Sequence, residues 1–292
     1  MIGDIISERI REYAPADALE QENVLAELLQ HFILAGLSRA RFYSQAGFHG
    51  GTCLHICYGM NRFSEDLDFL LKEPNPDFEW RPYLDRIISD CRDEGIHFEA
   101  RDKSGEKTTV TKAFLKTDSI GRLPKLNLPY PRHAAGKIRI KLEVDTNPPA
   151  GSRFETRYLD FPLTAAVTTQ TLPSGFSTKS HALLCREYTK GRDWYDFLWY
   201  ASRKVVPDLA LLGHALDQQG PWAGRGLRVT REWYLATMRK RIEEIEWDQA
   251  KDDISRFVVA RERESLNLWK AELFLQQLDR LAGYAWTNNQ EG

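Results

Sequence analysis

Cysteine is scarce in this 292-residue chain: there are four, Cys53, Cys57, Cys91 and Cys185. So few, so scattered, do not make the disulfide framework of a small secreted domain. Cys53 and Cys57 fall four apart on the helix expected after Thr52, with His55 between them on a different face. A zinc site there would need partners from elsewhere, so the thiols read as packing groups. Long apolar runs are missing too. No stretch approaches the roughly 20 residues needed to span a bilayer, and the first residues, Met1 to Glu8, hold no basic region followed by an apolar core. Neither a membrane anchor nor a secretory leader is expected, and the expected location is the cytoplasm. Net charge is also small, −2 at neutral pH, so the chain as a whole is not a polycation.

What is present is a soluble globular composition, 42% apolar and 28% charged, with material for one large or two medium domains. The charge is unevenly distributed. Residues 1–100 carry nine Lys or Arg against eighteen Asp or Glu, whereas residues 101–141 carry eleven Lys or Arg against three acids. A basic block of this kind attracts a polyanion by counterion release; equally, it describes a solvated hairpin whose lysines guard edge strands. Charge alone leaves both readings open.

The chain is organised around Phe48 to Phe69. Gly50 and Gly51 stop one element and Thr52 opens a helix; Asp66 and Asp68 then sit two apart in the apolar run Leu67-Phe69-Leu70-Leu71. Residues two apart on a strand share a face, so both carboxylates leave together toward one point, which suits a hard divalent cation. A Gly-Gly-Thr turn into a helix presents backbone N–H groups and the positive end of the helix dipole, which suits phosphate oxygens. Alone, either feature is commonplace. In a short turn–helix–loop–strand unit the two face one cleft, and Arg62 and Ser64, just before the acidic strand, add a cation and a hydroxyl.

These residues carry a resemblance. Gly50-Gly51-Thr52, Leu54, Tyr58-Gly59 and Arg62-Phe63-Ser64-Glu65-Asp66-Leu67-Asp68-Phe69 resemble the signature of the AbiEii/AbiGii toxin family, MenT-type members included, within the DNA polymerase β-like nucleotidyltransferases. A second block, Lys179 to Arg186 followed by Gly191-Arg-Asp-Trp-Tyr-Asp196, resembles a later motif of the same family. The resemblance implies an α+β fold, a nucleotidyltransferase core with a mixed sheet flanked by helices (residues 1–173), followed by a C-terminal helical lobe (residues 174–292). It implies nucleotide binding at Gly50, Gly51, Thr52, Arg62, Ser64 and Lys179, catalysis by Asp66, Asp68, Lys179 and Asp193, and a metal, Mg²⁺ or alternatively Mn²⁺, held by Asp66, Asp68 and a third carboxylate on a neighbouring strand. Glu143 and Asp145 both qualify, with the resemblance favouring Glu143. Ser64 has two readings, a ligand or a modification site at which added charge would oppose the aspartates.

Elsewhere the elements follow from spacing. Val24, Leu25, Leu28, Leu29, Phe32, Ile33 and Leu37 predict an amphipathic helix over 20–37 with Glu20, Glu22 and Glu27 toward its start, and residues 39–46 a further short helix. Phe78 to Cys91 predict a helix ended by Gly95. Ile96–Ala100 and Thr108–Thr117 read as strands around a hairpin tip at Ser104-Gly105-Glu106. The connection 118–136, bearing Arg122, Lys125, Arg132 and His133, is long enough to suggest substrate contacts. Lys137 to Asp145 alternates cleanly, Ile138, Ile140, Leu142 and Val144 on one face and Arg139, Lys141, Glu143 and Asp145 on the other. Extended pieces follow around 154–161 and 165–171, and helices thereafter. Arg192 and Asp196, four apart, have the spacing of an ion pair. Arg225, Arg228, Arg231, Arg239, Lys240 and Arg241 have the charge to hold a nucleic-acid backbone, but a solvated helical face is the favoured reading.

By resemblance the chain is a toxin of a toxin–antitoxin or phage-defence system. It would transfer a nucleotide from an NTP to RNA, foremost the tRNA acceptor end, and so block translation, with a cognate antitoxin protein as partner. Two rivals stand beside this reading: transfer to a protein or a small hydroxylated molecule, and a catalytically silent RNA- or partner-binding module.

Overall fold

The computed structural model describes residues 2–104, 108–117, 126–131 and 137–286. The hairpin tip at 105–107 and the expected contacts Arg122, Lys125, Arg132 and His133 lie outside the described residues. The chain divides into two compact units, Met1–Pro148 with Glu155–Thr169, and Pro149–Phe154 with Gln170–Gly292.

The first unit is built on a mixed seven-stranded sheet. Its strands are β1 (Ala46–His49), β2 (Asp66–Leu71), β3 (Glu99–Asp102), β4 (Val110–Thr117), β5 (Ile138–Asp145), β6 (Phe154–Leu159) and β7 (Ala165–Gln170), in the order β3-β4-β5-β2-β1-β7-β6. β2 runs antiparallel to β1 and parallel to β5, and β4 closes antiparallel on β5. Register sorts the side chains: Leu67 lies beside Leu142 and Phe69 beside Val144, all four buried. Helix α2 (Ala18–Arg39) packs on β5 and on α4 (Arg81–Asp93). Gly36 permits that approach, since a Cβ there would stand 3.1 Å from Ile87 Cγ1. Asp17 caps α2 by accepting from the Glu20 amide at 2.8 Å, and Glu20 reaches back to the Ala16 amide, a variant of the capping box.

Several local expectations shift. A helix α1 (Ile2–Tyr13) precedes the one expected at 20–37. The short helix expected over 39–46 is instead a 3-10 turn, Phe42–Ser44, followed by β1. Arg41 turns left-handed (φ 58°) and breaks the helix, and Gly47 and Phe48 find strand partners in Leu70 and Phe69. Helix α3 (Gly50–Tyr58) begins at Gly50 rather than Thr52. The first hairpin strand slides to Glu99–Asp102 because Ile96 and Phe98 are drawn into the core. Cys53 and Cys91 are buried, and burial pushes the Cys91 thiol up to about 12.

The second unit is helical: α5 (Leu172–Cys185), α6 (Gly191–Ser202), α7 (Leu209–Gln218), α8 (Arg231–Glu243), α9 (Trp247–Ser255), a 3-10 stretch Ala260–Leu268 and α10 (Ala271–Ala282). Its core is aromatic, with Trp247 stacked on Phe274 at 4.0 Å and Trp194 edge-on to both. Gly191 lets α6 lie on α9, for a Cβ there would run into the Ala250 carbonyl. Of the basic residues read as a solvated face, Arg231, Arg239 and Lys240 on α8 are exposed as expected, while Arg241 is half-buried. Arg241 donates to the Leu183 and Arg186 carbonyls at 3.1 and 2.6 Å, Arg239 pairs with Asp279, and Arg231 donates to the Ala282 carbonyl. Among the described residues no helix is long and apolar enough to cross a membrane.

Candidate active site

The alternation of β2 and β5 places the polar side chains. Asp66 lies beside Lys141, Asp68 beside Glu143 and Leu70 beside Asp145, so Asp66, Asp68 and Glu143 occupy one patch of one face. Asp145 sits a step further along, next to a buried leucine, and accepts from the Asn147 amide at 2.9 Å as a local turn. That register makes Glu143, not Asp145, the neighbour of the aspartate pair. β4 adds Lys112 beside Glu143.

Two lysines stand among these carboxylates. Lys141 Nζ is 3.2 Å from Asp66 Oδ2 and 2.8 Å from Glu143 Oε2, and Lys112 Nζ is 3.5 Å from Glu143 Oε1. Burial lowers the Lys141 pKa, but its bond to Glu143 and the charge of Asp66 outweigh burial and hold it above the ordinary lysine value. Three carboxylates suit a hard divalent cation in donor type and position. Among the described residues no three such groups already converge as a metal cage; the Lys141 ammonium stands between two of them as a cation in its own right.

The glycine turn is fixed by what surrounds it. Gly50 adopts φ 78°, and a Cβ there would stand 2.8 Å from Asp68 Oδ2. Glycine is thus required by conformation and by the approach of the acidic strand. A Cβ on Gly51 would collide with the Arg62 guanidinium, which is 2% exposed and donates to the Phe63 carbonyl at 3.1 Å. Arg62 is packed against the turn rather than extended into solvent. Thr52, fully buried, donates to the Asp66 carbonyl and so ties the start of α3 to the acidic strand. Ser64 is half-buried, its carbonyl accepting from Gln30 Nε2 at 2.9 Å.

Sequence reasoning missed a buried network behind α3. By position Glu27 belongs with the acids toward the start of α2, yet its side chain is 5% exposed and lies 2.7 Å from His55 Nε2. Tyr13 also donates to it, and His31 lies 3.8 Å away. His55 Nδ1 faces the Met60 carbonyl. With acceptors at both ring nitrogens the ring is an imidazolium. Burial lowers the pKa of His55, but the Glu27 charge and the two hydrogen bonds raise it overall; burial likewise raises Glu27, but His55 and its donors hold it below the usual carboxylate range. The available signal was positional: Glu27 falls within the apolar stripe of Val24, Leu28 and His31. Beside this network is a cavity of about 270 Å³, lined by Arg9, Tyr13, Asn61 and Asp160 among others.

In the second unit, Lys179 on α5 reaches Asp193 Oδ1 at 2.6 Å and Asp196 Oδ2 at 2.9 Å, and Arg186 Nη1 reaches Asp193 Oδ2 at 2.7 Å. Burial raises the Asp193 carboxyl, but Lys179, Lys190 and Arg186 overcome it and bring it down to about 2. Arg192 pairs with Asp253 of α9 at 3.8 Å, while Asp196 is taken by Lys179. In the basic block, Lys137 pairs with Glu99 at 3.0 Å and Arg139 lies over Phe114, so part of that charge is spent within the sheet.

A mixed sheet with paired aspartates on one strand, a third carboxylate on its parallel neighbour and a glycine turn into the following helix defines a class, the nucleotidyltransferases. The family model described as nucleotidyl transferase AbiEii toxin, type IV toxin–antitoxin system, matches residues 32–277. The chain belongs to this family. Its fold is similar to that of MenT4, the nucleotidyltransferase toxin Rv2826c from Mycobacterium tuberculosis H37Rv, at a TM-score of 0.51 and 15% identity over 96% of this chain and 98% of that one. JHP933 from Helicobacter pylori aligns at a TM-score of 0.48 and 16% identity over 89% and 95%. No curated protein sequence matches the chain.

Proposed function

We propose that this nucleotidyltransferase is a divalent-metal-dependent toxin, using Mg²⁺ with Mn²⁺ able to replace it, that transfers a nucleotide from an NTP to RNA. The tRNA acceptor end is the proposed acceptor, growth arrest by blocked translation the outcome, and a cognate antitoxin protein the partner. One observation carries the reading: Asp66, Asp68 and Glu143 share a patch of the sheet while the first turn of α3 abuts Asp68.

Asp66, Asp68 and Glu143 would hold the metal, which when bound neutralises phosphate charge and lowers the pKa of the acceptor hydroxyl. The backbone N–H groups of Gly50, Gly51 and Thr52 at the start of α3 offer hydrogen bonds and a dipole to the triphosphate. Arg62 and Thr52 keep that turn in place, through the guanidinium packed on Gly51 and the hydroxyl bound to the Asp66 carbonyl. The acceptor oxygen bonds to the α-phosphorus as the α–β bridge breaks, the hydroxyl proton passes to water, and pyrophosphate leaves. Lys179 and Asp193 are carried over from the family resemblance as a nucleotide-phosphate contact and its positioning partner.

The test is incubation with each labelled NTP and total RNA. Label in the tRNA band, lost in Asp66→Ala with the melting temperature nearly unchanged, supports the reading. Label appearing instead on a protein or small molecule, or acceptor affinity indifferent to salt, refutes an RNA acceptor, since a polyanion releases counterions on binding.

A further inference from the structure

From the lysine at the acidic face we infer that Lys141 is a tethered competitor for the metal, which makes the site take metal already bound to a nucleotide in preference to bare metal. The inference rests on the reading of Asp66, Asp68 and Glu143 as metal ligands. Lys141 is held by β5, one register step from Asp68 and directly beside Asp66. Its ammonium touches both Asp66 and Glu143, so these two ligands already share a cation without metal.

A bare divalent ion must therefore break two ion pairs before it gains its carboxylates. A metal–triphosphate complex meets a different balance, because its phosphate oxygens accept the ammonium as it leaves the carboxylates. The lysine is lost to the first ligand and recruited by the second. Its setting fits this exchange: Lys141, Asp66 and Glu143 keep 25%, 31% and 21% of their side-chain surface exposed, so the pairs are cheaper to open than buried ones. Among the described residues Lys112 pairs with Glu143, and from further away, which makes it the internal control.

The experiment is calorimetric titration of the full chain with Mn²⁺ alone, and then with Mn²⁺ and a non-hydrolysable NTP analogue, in wild type, Lys141→Met, Lys112→Met and Asp66→Asn. Methionine keeps the length of the stem and removes the charge. Expected is bare-metal affinity about tenfold tighter in Lys141→Met, metal–nucleotide affinity unchanged or weaker, and little change in Lys112→Met. Metal should also raise the melting temperature of Lys141→Met more than that of wild type, since the variant removes the ammonium that stands between Asp66 and Glu143. This second readout confirms that the variant is folded. If Asp66→Asn loses metal binding but Lys141→Met does not tighten it, the competitor role is overturned and the metal site stands. If Lys141→Met tightens bare metal and metal–nucleotide equally, the selectivity is overturned. If Asp66→Asn binds Mn²⁺ as wild type does, or if no variant binds Mn²⁺ with or without the analogue, the metal reading itself is overturned and this inference with it.

Discussion

Glu27→Gln is the perturbation that most directly tests how α3 is held. The wild-type carboxylate faces the His55 imidazolium at 2.7 Å, is 5% exposed and also accepts from Tyr13. Glutamine keeps the volume and removes the charge, leaving a cation buried without its counterion. Removing one partner of such a pair costs about 3–5 kcal/mol, and retained amide hydrogen bonds bring the expectation to the lower end, about 3 kcal/mol. The loss depends on pH. His55 has its pKa raised by folding, so its contribution is full below the unfolded value of about 6.5 and disappears as pH rises through the folded one. Glu27 has its pKa lowered, so its contribution is present above about 4.3 and is lost as pH falls through the folded value. The pair is strongest between those limits, and the deficit of the variant should be largest near pH 5.5 and smaller at pH 9. Urea midpoints at both values measure it, and hydrogen exchange of the α3 amides localises it. A deficit below about 1 kcal/mol at pH 5.5, or one independent of pH, would refute the paired-charge account.

Two further substitutions probe the turn and the second unit. Gly51→Ala should displace the buried Arg62 guanidinium, cost about 1–3 kcal/mol by overpacking and weaken nucleotide binding more than it lowers the melting temperature; calorimetry with an NTP analogue checks this. Asp193→Asn removes the carboxylate shared by Lys179 and Arg186 and should cost about 3–5 kcal/mol. Because folding lowers Asp193 to about 2, the wild-type advantage should be complete above pH 4 and fall away toward pH 2, as denaturation midpoints across that range would show.

The parts of the fold that were legible were those where period and position agree. Ile138 to Asp145 alternates without interruption, so strand and buried face followed directly, and the second face was visible as polar before its partners were known. The choice between Glu143 and Asp145 was not legible, because both lie on that face; only the register against β2 sets one beside Asp68 and the other beside Leu70. β1 is four residues long, too short for any period to emerge, and its identity as a strand comes from pairing with Phe69 and Leu70, which are over twenty residues away. On α8 the solvated face holds for Arg231, Arg239 and Lys240, but Arg241 satisfies the open carbonyl end of α5, a need that arises only once the two helices are packed.

The two lysine–carboxylate groups also differ in a way that no spacing reveals. Lys179 holds Asp193 and Asp196 with side-chain exposures of 13%, 4% and 0%, whereas Lys141 holds Asp66 and Glu143 on a part-exposed face of the sheet. Opening a buried pair uncovers charge in a poorly solvated place and costs several kcal/mol, while opening a half-exposed one lets water replace the lost partner for about 1 kcal/mol or less. The first arrangement therefore works as a fixed strut between α5 and α6, and a phosphate approaching Lys179 has to share it with two carboxylates. The second can exchange partners at modest cost, which is what a face that alternates between ammonium and metal requires.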